Sequence, residues 1–335
     1  VISETIMIDK SVRVGVVGTG HLGEHHVKHF ANMNEAILVG VFDTNQNRGK
    51  KIANNNKTLF FPTLKDLKNK VDAISIVTPT ESHAIIALEC IKSGKHVFVE
   101  KPMTQSISEA NDLIISAKKN NVVLQVGHIE RLNPALNALK PYLIEPRYIE
   151  IQRLAPYQTR GSDIPVVLDL MIHDIDIILS IIKSPVKSIR ANGLSIITNS
   201  IDIANARIRF KNGAVATMTS SRIAKNKVRK VKIFQKKLYS TLDLLMGLTE
   251  VYQIKDYDKK SLESSSNELF ERSNEKKIIS YEKPLINQKD ALRLELLNFI
   301  NSIKGKEEPI VSGEDGKNAL KIAIQIQDLI MRDLK

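Results

Sequence analysis

The sequence predicts an α/β protein with two domains: a doubly wound parallel sheet comes first, and an α/β domain with a large, mostly antiparallel sheet follows. Three observations predict it. The 335 residues amount to about two domains of roughly 150 residues. From residue 12 to about 127, short apolar runs alternate with helical stretches, as in parallel sheets whose strands are joined by helices. After Pro134, long β-type runs follow one another instead, which is typical of antiparallel strands.

The first domain is assigned to residues 1–130. Its apolar runs predict strands at 12–17, 37–42, 73–77, 96–99 and 122–126, and the stretches between them predict helices at 21–32, 46–55, 81–93 and 107–119. Parallel strands need long crossover connections, so helices between successive strands imply a parallel sheet.

The second domain is assigned to residues 131–335. Helices are predicted near 134–142 and 167–182, and strands near 147–154, 186–198, 202–210, 213–221, 229–238 and 248–255. The polar, low-complexity stretch 258–277 is predicted to be an exposed loop. Two helices near 287–304 and 315–333 are predicted to close the chain, and the last of them can pack back on the first domain.

The chain carries 49 Lys and Arg against 37 Asp and Glu, a net charge of +12. Such a balance suits an anionic partner, whether nucleic acid, a membrane surface or a phosphorylated small molecule. The densest basic run, residues 222–237, interleaves Val231, Ile233 and Phe234 with its cations. That alternation favours a strand with one solvated face over a nucleic-acid-binding arm. We therefore expect neither nucleic acid nor a membrane among the partners.

Cysteine content and hydropathy bear on the compartment. Cys90 is the only cysteine, which excludes an intrachain disulfide and fits a reducing cytoplasm. No uninterrupted apolar run approaches the roughly 18 residues that a membrane-spanning helix needs. The expected location is the cytoplasm.

An apolar strand runs directly into the pattern G-x-G-x-x-G at Gly18, Gly20 and Gly23. The first glycine permits a tight turn, the second lets a pyrophosphate approach the backbone, and the third lets the helix pack closely on the strand. Asp43 ends the second strand, where an acid accepts the ribose hydroxyls of NAD and repels the 2′-phosphate of NADP. Arg48 is near enough to accommodate such a phosphate, but no arginine directly follows Asp43. The pattern predicts a Rossmann domain that binds NAD.

Four histidines lie within nine residues of the first predicted helix: His21, His25, His26 and His29. Three of them stand at i, i+4 spacing and would share one helix face, which raises the possibility of a metal site. The same helix must pack on the sheet and present its N-terminus to the pyrophosphate, and no cysteine completes a ligand set. We therefore predict core or surface histidines and no metal site.

Two patterns concern proton chemistry. Lys101 ends a short apolar strand and precedes Pro102, so its amine is placed at the carboxyl end of a parallel strand, where ligands of open α/β sheets bind. Asp169 and His173 stand four residues apart and share one helix face. A histidine with a carboxylate one turn away is a ready general base, because the acid orients the ring and stabilises its protonated form. Taken alone, each pattern also fits an ordinary surface lysine or a helix-stabilising pair.

These patterns occur in a familiar order. The glycine turn is followed by Thr78-Pro79, by Gly94-Lys95-His96-Val97 leading into Glu100-Lys101-Pro102, by Gly127 and Arg131, by the Asp169 and His173 pair, and by Ser312-Gly313-Glu314-Asp315-Gly316. Over nearly its full length the chain thereby resembles the Gfo/Idh/MocA family of NAD(P)-dependent sugar and polyol oxidoreductases. The resemblance implies a Rossmann domain and a substrate-binding α/β domain whose open sheet builds homodimers or homotetramers. It also implies that Lys101, Asp169 and His173 are the catalytic residues.

The resemblance further implies a set of residues around the cofactor and another around the substrate. The cofactor-binding set is Gly18, Gly20, His21, Leu22, Gly23, Asp43, Thr78, Pro79, His83, Glu100 and Lys101. Residues 126–135 and 169–176 resemble a branch of the family that contains UDP-N-acetylglucosamine 3-dehydrogenases. The substrate-binding set is Arg131, Asn133, Arg153, Tyr157, Arg160, Asp169 and His173.

A UDP-sugar explains the choice of these side chains. Its pyrophosphate calls for arginines, and its uracil offers a face on which Tyr157 can stack. The alternative for the arginines is that they hold the two domains together.

The expected function is NAD-dependent oxidation of a sugar hydroxyl to a ketone, specifically the 3-hydroxyl of a UDP-N-acetyl-hexosamine. One alternative is a dehydrogenase of a free polyol or sugar such as inositol, which needs no pyrophosphate contact. Another is a non-catalytic NAD-binding sensor. The presence of Lys101, Asp169 and His173 together argues against a sensor, which need not retain all three.

Overall fold

A computed structural model describes residues 11–158, 164–257, 267–272, 275–286 and 289–334 of the chain. These residues divide into two compact units, the first made of 11–128 and 292–317 and the second made of the others. The first boundary, between residues 128 and 129, lies close to the one expected from the sequence. The segment 292–317 belongs to the first unit, whereas the sequence-based assignment placed it in the second domain, 131–335.

The first unit is built on six strands: β1 (Val12–Val17), β2 (Ala36–Phe42), β3 (Leu59–Phe60), β4 (Ala73–Ile76), β5 (His96–Glu100) and β6 (Leu124–Gly127). Their order in the sheet is β3-β2-β1-β4-β5-β6, and every neighbouring pair is parallel. The helices between them are α1 (His21–Ala31), α2 (Gln46–Asn55), α3 (Leu64–Lys68), α4 (Thr80–Lys92) and α5 (Ile107–Lys119). The predicted doubly wound parallel sheet is confirmed.

The second unit contains strands β7 (Tyr148–Leu154), β8 (Val186–Leu194), β9 (Ile203–Phe210), β10 (Val215–Ser221), β11 (Val228–Gln235), β12 (Leu238–Asp243), β13 (Leu248–Asp256), β14 (Asn267–Arg272) and β15 (Glu275–Glu282). In the described part of the chain they form one sheet in the order β14-β15-β13-β12-β11-β7-β10-β9-β8. Only β7 and β10 pair in parallel within it. The predicted second domain, with its mostly antiparallel sheet, is confirmed.

The remaining helices are α6 (Pro134–Asn137), α7 (Ile172–Ile181), α8 (Ala291–Ile303) and α9 (Gly313–Asp333). A 3₁₀ turn, Ile129–Leu132, precedes α6, and a π-helical turn, Val167–Met171, runs directly into α7. The helix expected near 134–142 is thus a single short turn of α-helix. No helix in the described ranges is long and apolar enough to cross a membrane.

Helices cover one face of the second sheet, and aromatic rings line the other. The covered face buries Ile149, Ile151, Val231 and Ile233 in one core with apolar residues of α7 and of residues 318–334. Because side chains alternate across a strand, the neighbouring positions point to the opposite face. There a row of half-buried rings crosses five strands, with neighbouring centroids 4.7–5.6 Å apart: Tyr148, Phe234, Tyr239, Tyr252 and Tyr281.

Two expectations about strands were wrong. Residues 258–277 are not a single loop, because β14 and the start of β15 pair as an antiparallel hairpin within that stretch. Residues 258–266 and 273–274 of it lie outside the described residues. The run 229–238, expected to be one strand, holds all of β11 but its first residue, a turn at Lys236 and Lys237, and the first residue of β12.

Candidate active site

The glycine turn between β1 and α1 has the geometry of a phosphate cradle. A Cβ on Gly18, whose φ is +89°, would lie 2.5 Å from the carbonyl oxygen of Val77, and a Cβ on Gly23 would lie 2.0 Å from the carbonyl oxygen of Gly18. These two positions exclude a side chain. A Cβ on Gly20 would meet nothing within 4 Å, and no side chain caps the helix that begins after it. The N-terminal N–H groups of α1 therefore border open space in which an anion fits.

Asp43 joins this turn to the end of β2. Its Oδ2 accepts hydrogen bonds from the backbone N–H and the hydroxyl of Thr19, both at 2.7 Å, and its Oδ1 accepts one from the N–H of Asn45 at 2.7 Å. Arg48 adds a two-pronged ion pair, with Nε 3.0 Å from Oδ2 and an Nη 2.8 Å from Oδ1. Burial alone raises the pKa of Asp43, but these donors outweigh it and hold the pKa below its ordinary value. The carboxylate is thus ionised and already engaged on both oxygens.

Lys101 directly follows β5, and the residue before it is held by a buried histidine. His26 of α1 is fully buried, with Nε2 3.1 Å from Glu100 Oε1 and Nδ1 2.9 Å from the hydroxyl of Ser75. The Glu100 carboxylate also faces Gly127, where a Cβ would lie 2.8 Å from Oε1. The end of β5 is therefore fixed from α1, β4 and β6 together. Lys101 itself is half-buried.

His83 of α4 is the second buried histidine near this strand end. Its Nε2 lies 2.8 Å from the carbonyl oxygen of Thr78 and its Nδ1 lies 2.9 Å from that of Pro102. Burial lowers the pKa of His83, against the opposing effect of these carbonyls. The ring thus bridges two loops, one carrying the predicted cofactor residues Thr78 and Pro79 and the other following Lys101. Both ring nitrogens of His83 thus contact backbone carbonyls, whereas the family resemblance assigned His83 to the cofactor-binding set.

In the second unit, Asp169 lies in the π-helical turn and His173 lies in the first turn of α7. Both are half-buried. The sequence predicts a continuous α-helix here, but one turn is widened, a feature frequent at functional sites. Lys101 belongs to the first unit, and Asp169 and His173 belong to the second.

Two arginines expected to bind substrate are ion-paired with acids of α7. Arg131 holds Asp176, with Nε 2.8 Å from Oδ2 and Nη2 2.7 Å from Oδ1. Arg153 is only 3% exposed and donates to Asp174 Oδ1 from Nε at 2.9 Å and Nη2 at 2.7 Å. The two pairs anchor the helix that carries His173, and they do so within the second unit.

Glu130 connects Arg153 to the surface. Its Oε1 accepts hydrogen bonds from Arg153 at 2.8 Å and from Arg229 at 3.1 Å, and its Oε2 accepts one from Asn133 at 3.0 Å. Burial raises the pKa of Glu130, but the two arginines and Asn133 lower it further than burial raises it. Complete burial raises the pKa of Asp174, and Arg153 opposes that rise. The Arg229 side chain is 41% exposed, so it is the solvent-facing end of a buried charge network.

Three other predicted site residues are more exposed. His21 and Leu22 are exposed at the start of α1, and Tyr157 is 44% exposed. Arg160 lies outside the described residues. Among those that are described, no group of three or more His, Cys, Asp or Glu side chains could hold a metal ion.

Comparison with known proteins decides the family. Residues 12–128 match the family model described as an oxidoreductase family with an NAD-binding Rossmann fold, and residues 153–237 match the GFO/IDH/MocA C-terminal domain. The UDP-N-acetylglucosamine 3-dehydrogenase of Acidithiobacillus ferrooxidans is 33% identical over 94% of this chain and 96% of its own. The chain belongs to the Gfo/Idh/MocA family. It is an NAD-dependent oxidoreductase, and its glycine turn and the open space at Gly20 fit that cofactor.

Solved structures share this fold. That of the Acidithiobacillus ferrooxidans enzyme has a TM-score of 0.87 at 32% identity, covering 97% of this chain and 100% of that one. A levoglucosan dehydrogenase in complex with NADH has a TM-score of 0.82 at 17% identity and covers 97% of this chain and 98% of its own, which concerns the fold alone. The myo-inositol 2-dehydrogenase of Thermotoga maritima is 27% identical over 92% of this chain and 93% of its own.

Several residues with structural roles near the site are absent from the sequence-based sets. Thr19 lies inside the glycine pattern but at a position that the pattern leaves unspecified. His26 was counted within a histidine cluster, and its inward direction follows only from the packing of α1. Arg229 was assigned to a strand with a solvated face, and its ion pair with Glu130 spans 99 positions of sequence.

Proposed function

We propose that this dehydrogenase oxidises a sugar hydroxyl to a ketone and that its substrate is a UDP-N-acetyl-hexosamine oxidised at the 3-hydroxyl. The observation that carries the proposal is the likeness to the Acidithiobacillus ferrooxidans UDP-N-acetylglucosamine 3-dehydrogenase, which extends over 94% of this chain and so includes both units. The charge of the chain, +12, agrees with an anionic substrate.

Three residues would carry out the chemistry. His173 takes the proton of the substrate hydroxyl, and Asp169 orients the ring and stabilises its protonated form. Lys101 donates a hydrogen bond to the oxygen as negative charge develops on it. Bound NAD supplies the acceptor for the hydride. Gly18, Gly20 and Gly23 would hold the pyrophosphate of the cofactor; the fuller cofactor set is His21, Leu22, Asp43, Thr78, Pro79, Glu100 and Lys101.

The substrate pyrophosphate would be met by a cation that is accessible to it. We assign this contact to Arg229, which is exposed and is joined through Glu130 and Arg153 to Asp174, the neighbour of His173. Arg131, Arg153 and Asn133 would hold the neighbouring residues in place without contacting the substrate, since their polar groups contact protein atoms. Tyr157 would pack on the uracil, and Arg160 remains a candidate for a second anion contact.

A free polyol is the second candidate substrate, because a myo-inositol 2-dehydrogenase is 27% identical over 92% of this chain. NADH formation with UDP-N-acetylglucosamine, N-acetylglucosamine and myo-inositol separates the two. We expect turnover with the UDP-sugar alone. Turnover confined to the two uncharged compounds would refute the nucleotide-sugar assignment.

Replacing Arg229 tests the anion contact. Arg229→Ala is expected to raise the substrate KM about 10-fold or more, the value of one charge-assisted hydrogen bond, with NAD affinity unchanged. Arg209→Ala is the matched control, since Arg209 is an exposed arginine on β9 of the same sheet. An equal KM in both variants contradicts the assignment.

The protein would act as a homodimer or homotetramer in the cytoplasm. The aromatic row on the uncovered face of the second sheet supports assembly through that face, because such rings are enriched in interfaces. The single, buried Cys90 supports a reducing compartment. Sedimentation of Tyr239→Lys against the wild type tests the interface, and an unchanged mass contradicts it.

A further inference from the structure

Lys101 stands between two residues that are each held by a buried histidine from a different helix. On its N-terminal side, the Glu100 side chain meets His26 of α1. On its C-terminal side, the Pro102 carbonyl meets His83 of α4. The two histidines are 0% and 1% exposed, so neither reaches solvent. All five residues belong to the first unit.

The ring of His26 links Ser75 of β4 to Glu100 of β5. An ionised carboxylate only accepts hydrogen bonds, so the Nε2 atom facing Glu100 must carry the proton. On the other side of the ring, Nδ1 lies 2.9 Å from the hydroxyl of Ser75, which is itself 0% exposed on β4 and can either donate or accept. The ring also packs edge-on against Phe98, with centroids 5.5 Å apart. His26 is thus fixed in rotation and can fix Glu100 in turn.

The contacts of His83 hold the other side. A carbonyl oxygen only accepts, so a ring nitrogen must donate to hold Pro102 or Thr78. Either way, the ring occupies the space between the two loops and limits how far each can move. The segment 100–102 is therefore attached to both the helix that begins at the glycine turn and the helix that begins after Pro79.

We propose that His26 and His83 are positioning residues for Lys101, which set the direction of its amine by anchoring the residues on either side of it. The proposal rests on the catalytic role proposed above for Lys101. Neither histidine touches substrate or cofactor in this assignment. Catalytic groups lose effect steeply when displaced, and a shift of about 1 Å costs up to roughly 100-fold in rate.

The variants are His26→Leu, which removes both ring hydrogen bonds at similar volume, and His26→Gln, which restores a donor toward Glu100. His25→Leu is the matched control, because it makes the same change one residue earlier on the exposed side of α1. We expect His26→Leu to lower kcat about 10- to 100-fold, with the NAD dissociation constant and the substrate KM little changed. His26→Gln is expected to recover most of kcat, and His25→Leu to match the wild type. His83→Leu should reproduce the His26→Leu result.

Combination with Lys101→Ala tests whether the histidine acts through the lysine. If it does, His26→Leu adds little further loss to a chain that already lacks Lys101, because the two residues act as a unit. A double loss equal to the product of the single losses overturns the proposal. So does a rise in the NAD dissociation constant as large as the fall in kcat.

A measurement that needs no substrate separates this proposal from the proposed function. The rate at which an amine-directed reagent labels Lys101 is followed by peptide mass spectrometry, with Lys95 as the internal reference. We expect the Lys101 rate to change in His26→Leu, to recover in His26→Gln, and to stay at its wild-type value in His25→Leu. An unchanged rate in a folded His26→Leu chain overturns the proposal, even if the wild type oxidises no sugar tested. If His26→Leu does not fold, Ser75→Ala, which leaves the ring in place but removes its contact at Nδ1, must show the change, and His26→Gln must stay at the wild-type rate.

Discussion

Replacing Arg48 by alanine is expected to make the enzyme more selective for NAD over NADP. Arg48 pairs with both oxygens of Asp43, so it offsets the negative charge that would repel a 2′-phosphate. The same guanidinium is an available partner for such a phosphate. In Arg48→Ala the Asp43 carboxylate keeps its hydrogen bonds from Thr19 and Asn45 and stays ionised, but its charge is no longer compensated.

The size of the effect follows from exposure. A hydrogen bond between charged groups contributes about 1.5–3 kcal/mol, and the Arg48 side chain is 48% exposed, which places its contribution at the lower end. About 1.5 kcal/mol corresponds to roughly a tenfold change in an equilibrium constant. The ratio of the NADPH to the NADH dissociation constant should therefore rise about tenfold.

Isothermal titration of the two reduced cofactors measures this ratio without substrate. Arg13→Ala is the control, because Arg13 is also 48% exposed and pairs with an acid, Asp72, at 2.6 Å, but near the start of β1, away from the glycine turn. The control should leave the ratio unchanged. A ratio that stays constant or falls in Arg48→Ala, or that rises equally in Arg13→Ala, refutes the reasoning.

Three further outcomes are expected. Arg153→Ala removes the guanidinium that pairs with buried Asp174 and leaves Glu130 to Arg229 and Asn133, so urea unfolding should show the free energy of unfolding reduced by about 3–5 kcal/mol; a reduction within experimental error contradicts the network. Asp202 accepts hydrogen bonds from three successive backbone N–H groups, which together with the Thr198 hydroxyl overcome burial and hold its pKa at about 2 against an ordinary 3.8. Its ionised form therefore stabilises the fold above roughly pH 4, and Asp202→Asn should unfold about 1–2 kcal/mol more easily at pH 7 but converge with the wild type as the pH falls toward 2. Gly20→Ala should keep the wild-type melting temperature yet weaken NAD binding about 10-fold or more. The added Cβ meets no protein atom within 4 Å and enters the open space before the helix, where the phosphate is expected to bind. A lower melting temperature with unchanged binding would point to a structural role instead.

The nucleotide-binding sheet is predictable from sequence because its strands are short, apolar and separated by helices. β1 occupies the residues predicted for it, Val12–Val17, since β-branched side chains buried on both faces mark a central parallel strand. The glycine turn is equally predictable, because Gly18 and Gly23 leave no room for a side chain and Gly20 directly precedes the helix. Such features depend on residues close together in the chain.

Features that depend on backbone pairing alone were missed. The β11–β12 hairpin turns at Lys236 and Lys237, where Lys237 has a φ of +64°. Two-residue turns of this kind usually contain glycine or asparagine, and no such signal is present. The β14 strand lies at the sheet edge in a polar stretch, and its position is defined by pairing with β15.

The sequence names candidate site residues, but it does not give the partners that their side chains contact. Arg131 and Arg153 were predicted to bind the substrate. The sequence alone does not show that each pairs with an acid of the same unit, 45 and 21 positions away. Asp43 was expected to accept hydrogen bonds from the ribose. Its ion pair with Arg48 was not expected, because the side chain of an arginine five residues later on a helix can point in another direction. In each case the missing information was the direction of a long side chain in the folded chain.

The return of residues 292–317 to the first unit has a consequence for biosynthesis. The N–H of Val126 donates to the carbonyl of Val311 at 3.0 Å, and the ring of Phe98 packs on that of Phe299 with centroids 5.8 Å apart. The strands that carry the glycine turn and Lys101 leave the ribosome long before these partners exist. At roughly 5–20 residues per second, about 10–40 s of translation separate them. A nascent chain therefore completes its cofactor-binding unit only after the whole second sheet has been synthesised, so a stalled or truncated product lacks the finished unit.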